Sequence, residues 1–592
     1  MKLLAWIGLF FFTFALIPGS FNSASAQTPI SFTFTGTGTG TGNNFSLTGT
    51  GAFNPYGPTS INVTGGAGAS GYAVLFTVTF SDGSTFSAQS TATSNFATIT
   101  GTATVTSGTG KFAGTTGTFS FVVTESLGAG GTINFTSTGS GTFNTNAKPT
   151  YTYYFSDLAF AGGFQTTLTL INYGQTSVTC NTNFYSDNGQ PLTIPFSDVT
   201  AATRADVLAP GASIHKQTNA NLSATVAQGW AVSTCSGPVE ASLLYRLYNA
   251  AGTAVGEASV NAETAPTNKF VTFAQTATGV AYGNPSTTQT ATLTFTAYNA
   301  AGGFLGSATK TLGPLAHGAA NIGPLLSLAS FSGSVVITSN IPIISLALNA
   351  EAFPVFSSLP PGDLPATPPT GAQTYYFSDL AFAGGFQTTL TYINYGSLPV
   401  TCTTSFYGDD GNPLSIPFAL GNVSTRTDLL QPGGSVHDQT NASLTATVTQ
   451  GWAKASCNGP VQASLLYRLY QSGTAVSEAS VNAETSTDTI FVTFAQTATG
   501  VAYANTSNTS APISFVVFDS SGNQLAATTI TVGPLGHGSA NLGPLLRLTS
   551  FTGLVQITSP LPIISLSLNA EAFPVFSSLP PGDLPANTLP VP

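Results

Sequence analysis

Short runs in which polar and apolar residues alternate recur along the whole chain. Residues 166–171 form one such run, and residues 178–185 and 239–248 are rich in β-branched and aromatic side chains. Alternation with a period of two is typical of strands with one buried face, and the tight-turn signals Asp187-Asn-Gly189 and Pro210-Gly211 lie between the runs. We find no long stretch with the apolar period of a helix. The pattern predicts an all-β protein built from many short antiparallel strands.

The chain also contains a long internal duplication. The segment that begins Tyr153-Tyr-Phe-Ser-Asp recurs 222 positions later, at Tyr375. A second segment, residues 349–365, recurs unchanged as residues 569–585. The duplication therefore divides most of the chain into two long copies joined by a Pro/Thr/Gly linker.

Each copy matches itself more faintly. Pro210 and Gly229 correspond to Pro314 and Gly333 at a constant offset of 104. A repeat of that length predicts two modules in each copy, because roughly 100–115 residues is a usual domain size. We expect antiparallel β-sandwiches that follow one another as a string of beads.

The predicted organisation begins with a signal peptide at 1–26 and a β-barrel-like domain at 27–148. The remaining predicted segments are sandwich module 1a (149–265), sandwich module 1b (266–365), a linker (366–373), sandwich module 2a (374–486), sandwich module 2b (487–585) and a tail (586–592).

The N-terminal region has its own character. It is rich in Thr, Gly, Ser and Phe, and residues 103–119 read Ala-Thr-Val-Thr-Ser-Gly-Thr-Gly-Lys-Phe-Ala-Gly-Thr-Thr-Gly-Thr-Phe. This stretch resembles the G-G-T-G-x-F-x-G-x-x-G signature of allene oxide cyclase-like and dirigent-like barrels, with Ser107 in place of the first glycine. The resemblance implies a closed antiparallel barrel with Phe112 packed inward, and it carries over no catalytic residue. A plain sandwich is the alternative.

The tandem modules resemble immunoglobulin-like sandwiches only in a broad sense. In an immunoglobulin domain the tryptophan lies near the middle of the interval between the two cysteines. Here Trp230 lies five residues before Cys235, so the topology stays open. We expect Trp230 and Trp452 to pack in the core beside a disulfide.

The composition excludes one large class of function. Charged residues make up 6% of the chain, against roughly 25% in ordinary soluble domains, and 22 acids face 12 Lys and Arg. A nucleic-acid binder needs a basic surface, so we expect no nucleic-acid partner. Hydrophobic residues are 42%, which is enough to build cores.

The first residues predict export. Lys2 precedes an apolar run from Leu3 to Ile17, and Ala24-Ser25-Ala26 is a small-x-small cleavage site. The alternative is a transmembrane anchor, for which the run is short. We therefore expect a secreted or cell-surface protein that is cleaved near Ala26 and has no transmembrane helix afterwards.

Four cysteines follow: Cys180, Cys235, Cys402 and Cys457. An even number in an exported chain indicates disulfides, and four cysteines allow three connectivities. The repeat selects Cys180–Cys235 and Cys402–Cys457, since each pair lies in one copy at the same spacing. Closing such a loop stabilises a fold by roughly 4 kcal/mol in the chain-entropy model. A zinc site is the alternative, but it lacks a C-x-x-C pair.

The ionisable residues give no clear reaction centre. The histidines pair across the copies as His215/His437 and His317/His537, and we interpret them as loop residues without metal. Repeated acids raise the alternative of a glycosidase, which needs two carboxylates close together. These acids are Asp157/Asp379, Asp206/Asp428, Glu257/Glu478, Glu263/Glu484 and Glu351/Glu571.

Two arginines lie inside apolar strand-like runs and predict buried ion pairs. Arg246 and Arg468 each need a carboxylate partner, and Glu263 and Glu484 are the candidates. We predict no catalytic residue, no metal and no cofactor.

The sequence therefore favours a non-enzymatic structural, adhesion or binding protein that acts outside the cell. Glycans of the cell surface or matrix, and self-association through strand edges, are the partners considered. A secreted carbohydrate-active protein, either a glycan-binding module or a glycosidase, is the alternative. A further hypothesis is that the N-terminal barrel holds a small apolar molecule.

Overall fold

The computed structural model describes residues 28–41, 44–68, 71–94, 98–128, 132–144, 150–359, 362–364, 369, 371–419, 421–579 and 584. The predicted signal peptide and the predicted tail lie outside the described residues, as does half of the predicted linker. The chain forms two compact units, Met1–Thr150 and Tyr151–Pro592.

The first unit is a closed antiparallel barrel of eight strands, and a single 3-10 turn, Gly110–Phe112, lies between the sixth and seventh. The strands are β1 (Thr28–Thr41), β2 (Asn44–Asn54), β3 (Gly57–Gly68), β4 (Gly71–Phe80), β5 (Thr85–Ser94), β6 (Thr98–Gly108), β7 (Thr116–Leu127) and β8 (Ile133–Asn144). Strand β1 pairs with β8, which closes the barrel. The closed barrel is the form that the sequence predicted.

Aromatic side chains fill the barrel. The ring of Phe32 contacts the rings of Phe53 and Phe119, and Phe112 is fully buried with its ring 4.5 Å from that of Phe80. Gly139 provides space for one of these rings, since a Cβ there would lie 2.3 Å from Phe32. An eight-stranded barrel is just wide enough for side chains to fill its interior, and here phenylalanine does so.

The second unit contains two strand groups in each copy. Module 1a contains β9 (Tyr151–Phe160), β10 (Phe164–Ile171), β11 (Val178–Ser186), β12 (Ile194–Pro195), β13 (Thr200–Ala201), β14 (Thr203–Leu208), β15 (Ser213–Gln217), β16 (Ala227–Cys235), β17 (Glu240–Tyr248) and β18 (Ala254–Asn261). Module 1b contains β19 (Thr267–Gln275), β20 (Gly279–Gly283), β21 (Ala291–Asn299), β22 (Phe304–Leu312), β23 (His317–Asn321), helix α1 (Ile322–Leu326), β24 (Ser332–Asn349), β25 (Ser357–Leu359) and β26 (Gly362–Asp363).

The second copy repeats this order. Module 2a contains β27 (Gln373–Phe382), β28 (Phe386–Asn394), β29 (Val400–Gly408), β30 (Ile416–Phe418), β31 (Gly421–Val423), β32 (Thr425–Leu430), β33 (Ser435–Gln439), β34 (Thr449–Cys457), β35 (Val461–Gln471) and β36 (Thr474–Asn482). Module 2b contains β37 (Asp488–Gln496), β38 (Gly500–Asn505), β39 (Ala511–Asp519), β40 (Gln524–Val532), β41 (His537–Asn541), helix α2 (Leu542–Leu546), β42 (Thr552–Asn569) and β43 (Ser577–Leu579).

Every module packs antiparallel strands around its own apolar core. Module 1a has two four-stranded sheets, β14-β11-β16-β9 and β15-β10-β17-β18, and module 2a has the same arrangement. In module 1b the long strand β24 belongs to two sheets, because its first half pairs with β19 and β21 and its second half pairs with β20 and β25. Pro342 lies between the halves, where its missing N–H interrupts the ladder.

A buried asparagine stabilises the equivalent turn in each of the four modules. Asn172 donates from Nδ2 to the carbonyls of Thr176, Leu208 and Ala209, and its Oδ1 accepts from the backbone N–H of Gly174. Asn284, Asn394 and Asn505 occupy the equivalent turns, and all four side chains are fully buried. A buried amide that meets its hydrogen-bonding demand fixes the loop around it. The four modules are therefore variants of one fold.

Consecutive modules meet through one kind of junction. The hairpin turn of each module lies against a proline turn of the next, where a backbone N–H donates to a backbone carbonyl. The four hydrogen bonds run from His317 N to Asp187 O (3.2 Å), from Ser435 N to Ala300 O (3.0 Å), from His537 N to Asp409 O (3.2 Å) and from Ser213 N to Ser520 O (3.2 Å). The last of these joins module 2b back to module 1a. The modules form a closed ring, and the expected open string is wrong.

A cycle of four serines lies at the centre of the ring. The hydroxyl of Ser259 donates to the carbonyl of Ser578, and the circuit continues from Ser578 to Ser480, from Ser480 to Ser358 and from Ser358 back to Ser259. Each module contributes one serine. Small side chains allow the four strands to approach the axis closely, and the cycle pairs every one of these buried hydroxyls.

Apolar side chains also pack between the two copies. Ile171 and Tyr173 of module 1a share a buried cluster with Phe494 of module 2b, and Phe273 of module 1b shares one with Ile393 of module 2a. An interface that buries apolar side chains in this way resembles an obligate interface rather than a transient contact.

We predict that the two copies stay together when the chain between them is cut. A protease site inserted in residues 366–373 is expected to give two fragments that elute as one species from a size-exclusion column without denaturant. The buried clusters and the ring junctions hold the copies without the covalent link. Separate elution of the fragments at neutral pH would contradict a closed ring.

Candidate functional site

Both disulfides are present and each one joins two neighbouring strands. Cys180 on β11 lies opposite Cys235 on β16, and Cys402 pairs with Cys457 in the same way. All four residues are buried in the cores of modules 1a and 2a. The disulfides therefore cross-link paired strands within the cores of modules 1a and 2a.

The two tryptophans lie between modules, and their expected place beside a disulfide is wrong. Trp230 stacks on Tyr185, and its indole N–H donates to the carbonyl of Leu315 in module 1b at 2.7 Å. Trp452 packs against Ala504 and Ile564 of module 2b. An indole N–H needs a partner when it is buried, and here the next module supplies it.

Arg246 forms a buried ion pair that the other copy completes. Its Nε donates to Glu257 at 2.6 Å, and its Nη2 lies 3.0 Å from Glu571 of module 2b. The second carboxylate oxygen of Glu257 accepts from Asn569 and Ser577, which also belong to module 2b. Buried charges need this degree of pairing, because an unpaired one is costly.

The same cluster recurs on the other side of the ring with the copies exchanged. Arg468 donates to Glu478 at 2.7 Å, and its Nη2 lies 3.2 Å from Glu351 of module 1b. Asn349 and Ser357 of module 1b donate to Glu478. Each copy therefore completes the other's charge cluster.

The arginines are paired as the sequence indicated, but Glu263 and Glu484 are the wrong partners. The backbone of Glu263 pairs with that of Tyr154, and its carboxylate accepts from the backbone N–H of Ser345. Glu484 forms the corresponding bridge with Tyr376. The true partners, Glu257 and Glu478, lie directly opposite the arginines on the neighbouring strands β18 and β36. Strand register decides this choice, and the sequence gives no register.

His317 and His537 are buried between two modules and do not lie in loops. His317 Nδ1 lies 2.8 Å from Asp187, and its Nε2 lies 3.4 Å from Asp157. His537 meets Asp409 and Asp379 in the same way. Burial by itself lowers the pKa of these imidazoles, but the two carboxylates outweigh burial and raise the pKa to about 9. Each histidine is a positive charge that clamps module a to module b.

In the other two histidines, His215 and His437, the surroundings lower the pKa instead of raising it. His215 stacks flat on Phe494 at 4.1 Å, and His437 stacks on Phe273 at 3.9 Å. Burial is the largest influence on both, and it lowers the pKa of each to about 4. These neutral rings therefore behave as flat apolar contacts between the copies.

A pocket lies where the two modules of each copy meet, and we call the pair the junction pockets. The pocket of copy 2 has a volume of about 580 Å³, and that of copy 1 about 410 Å³. Three phenylalanines line each pocket: Phe386, Phe573 and Phe576 in copy 2, and Phe164, Phe353 and Phe356 in copy 1. Their volumes and apolar walls are those of small-molecule sites.

A more polar chamber of about 380 Å³ adjoins the pocket of copy 2. The two cavities share Gly500, Asn541 and Leu568 as walls, and Asp379, Gln450 and Ser539 also line the chamber. Asp379 Oδ1 is buried and makes no hydrogen bond within the described part of the chain. The site thus combines an aromatic face with hydroxyl, amide and carboxylate groups.

The described residues offer no cluster of three or more His, Cys, Asp or Glu side chains that fits a metal ion. In the histidine clamps the two carboxylates face opposite nitrogens of one ring, so they do not converge on a point. Among the described residues, no helix is long and apolar enough to cross a membrane.

Comparisons with known proteins add little. No family model matches the chain, and no curated protein matches it. A solved structure titled "Crystal Structure of Thermotoga maritima 1070" is similar to part of the chain, with 16% identity, a TM-score of 0.16, and coverage of 19% of this chain and 94% of that one. A likeness of this size carries no functional argument. The resemblance of residues 103–119 to allene oxide cyclase-like barrels stays a prediction.

We predict that Glu257→Gln destabilises the second unit by about 3–5 kcal/mol, because it leaves the buried Arg246 without its close counter-ion. Glu571→Gln is the matched control, since that carboxylate is 42% exposed and its loss costs about 1 kcal/mol or less. Denaturant unfolding measures both. Equal effects of the two variants would contradict the cluster.

We predict a loss of stability at alkaline pH from the two histidine clamps. Their pKa is higher in the folded chain than in the unfolded one, so their contribution is complete below about pH 6.5 and disappears as the pH rises through about 9. Thermal midpoints between pH 6 and 10 measure it. The double variant His317→Asn/His537→Asn is expected to be less stable at neutral pH and to lose less on alkalinisation.

His215→Asn/His437→Asn is the control for this experiment. Those histidines are neutral throughout the alkaline range, so their variant is expected to keep the alkaline loss of the parent chain. An alkaline loss that is the same in both double variants would show that other groups cause it.

Proposed function

We propose that this is an exported, non-enzymatic protein that acts outside the cell as a structural, adhesion or binding protein. One observation carries the proposal: three pairs of acids that recur in both copies lie at contacts that hold modules together, while Asp206 and Asp428 pair with arginines of their own modules. Glu257, Glu478, Glu351 and Glu571 pair with arginines, while Asp157 and Asp379 face histidines. Repeated ionisable side chains that hold modules together favour a structural role for the protein.

Export is supported by the first 26 residues and is compatible with the disulfides. Two cross-strand disulfides suit an oxidising compartment, where they persist. We interpret the disulfide-bearing modules 1a and 2a as distant variants of the immunoglobulin-like sandwich, and the barrel as a structural relative of dirigent-like barrels.

The carbohydrate-active alternative is supported in its binding form. The junction pockets offer aromatic walls beside polar groups. A glycosidase needs two carboxylates on either side of the scissile bond, and among the described lining residues of the copy 2 cavities Asp379 is the single acid. Glycan binding without turnover therefore fits within the proposed function.

We predict that the purified mature chain, residues 27–592, adheres to cells or matrix polysaccharide, or self-associates, and releases no reducing sugar from oligosaccharides. Cell pull-down, sedimentation and a reducing-sugar assay measure these properties. Serum albumin, which is acidic and of similar mass, is the control for non-specific adhesion. A monomer that adheres no better than albumin, or a chain that hydrolyses the glycans, would contradict the proposal.

A further inference from the structure

The junction pockets expose aromatic rings that the fold has no need to expose. Phe573 is 65% exposed and Phe353 is 64% exposed, and each lies at the edge of its pocket while Phe576 and Phe356 form the buried wall. An exposed aromatic ring at the edge of a pocket offers a flat apolar face on which a ligand can stack. Its presence in both copies points to a common role.

The polar groups beside the rings are suited to hydroxyl groups. Asn541 lies at the start of α2, yet its side chain makes no capping hydrogen bond with the helix. Ser539 donates to Gln450 at 2.9 Å, and Asp379 lines the same chamber, with its Oδ1 3.4 Å from His537 Nε2. Amide, hydroxyl and carboxylate groups around one chamber favour a ligand that both donates and accepts hydrogen bonds, as hydroxyl groups do.

The charges around the site indicate a neutral ligand. Asp379 is the single charged residue among the described lining residues of the two cavities, and His537 lies 3.4 Å away as its counter-ion. A cationic or anionic ligand would leave one charge without a partner in this recess. A neutral sugar has one apolar ring face, many hydroxyl groups and no charge, so it matches this site.

We propose that each junction pocket binds a ring of a neutral carbohydrate, which stacks on Phe573 or Phe353, and that in copy 2 the sugar also donates hydroxyl hydrogen bonds to the chamber beside the pocket. This inference rests on the proposed binding function and names its ligand class. The polar residues near the two pockets differ, because copy 1 has Ala319 where copy 2 has Ser539. The copy 2 pocket is therefore the tighter site.

The test uses the whole mature chain on an array of immobilised neutral and acidic oligosaccharides, followed by calorimetry with the neutral oligosaccharide that gives the strongest signal. We expect Phe353→Ala/Phe573→Ala to weaken binding by about tenfold or more, as loss of a central aromatic contact does. Phe304→Ala is the matched control, since Phe304 is 64% exposed but does not line either pocket. It is expected to change binding less than about twofold. Circular dichroism and thermal midpoints confirm that the variants fold.

A second pair of variants tests the difference between the copies. Ser539→Ala is expected to weaken the tighter site by roughly three- to tenfold, and Ala319→Ser to strengthen the weaker one by a similar factor, since each change removes or adds one neutral hydrogen-bonding group. Opposite shifts support the proposal, and shifts in the same direction overturn it.

Other outcomes separate this inference from the proposed function. Glycan binding that survives the double phenylalanine variant overturns the pockets as the site but leaves a binding protein. Preference for acidic glycans, or for the apolar dye 8-anilinonaphthalene sulfonate with no glycan bound, overturns the ligand class alone. Hydrolysis of the bound oligosaccharide overturns the proposed function as well.

Discussion

The structure of the second unit depends on one contact made four times: the hairpin turn of each module lies against the proline turn of the next. A head-to-tail contact repeats without end unless its rotation closes, and here four modules complete the circle within a single chain. The contact uses backbone groups, so it tolerates different side chains. Trp230 and Trp452 reach the next proline turn with an indole N–H, and Ser334 makes the equivalent contact with its hydroxyl, which donates to Gly433. Closure of the ring also explains why several of the few charged side chains are buried, because each module supplies partners to charges of another module.

The buried charges are arranged so that neither copy is complete alone. Glu257 accepts hydrogen bonds from module 2b, and Glu478 accepts the corresponding ones from module 1b. A buried carboxylate is tolerated only when its partners are all present, so correct assembly satisfies both clusters together. The neutral histidines stack on phenylalanine rings between the copies, whereas each charged histidine lies between two carboxylates where the modules of one copy meet. The junction pockets also depend on this assembly, since each pocket is lined by residues of modules a and b.

Much of the fold follows from the sequence. The alternating pattern predicts the strands, the Gly-rich segment with Phe112 predicts a barrel, and the repeat selects the disulfide pairing from three possibilities. Less of the candidate site is predictable. Glu263 is the wrong partner for Arg246 because a difference of a few residues in strand register decides which carboxylate faces it. The histidines follow prolines and glycines, which suggests loops, but the strands β23 and β41 begin at His317 and His537. The four matching turns, Asp187-Asn-Gly189 among them, are the signal that could have indicated equivalent junctions.

The sequence by itself determined the strand-rich class, the number of repeats and the disulfide pairing within each copy, because alternation, turn chemistry and duplication are local or directly comparable along the chain. The tertiary structure decided that the modules close into a ring, that each copy completes the other's ion pairs and that aromatic pockets open between modules. These features depend on surfaces supplied by residues as far as 325 positions apart, such as Arg246 and Glu571. Their complementarity is a property of shape and distance, which no local pattern of residues encodes.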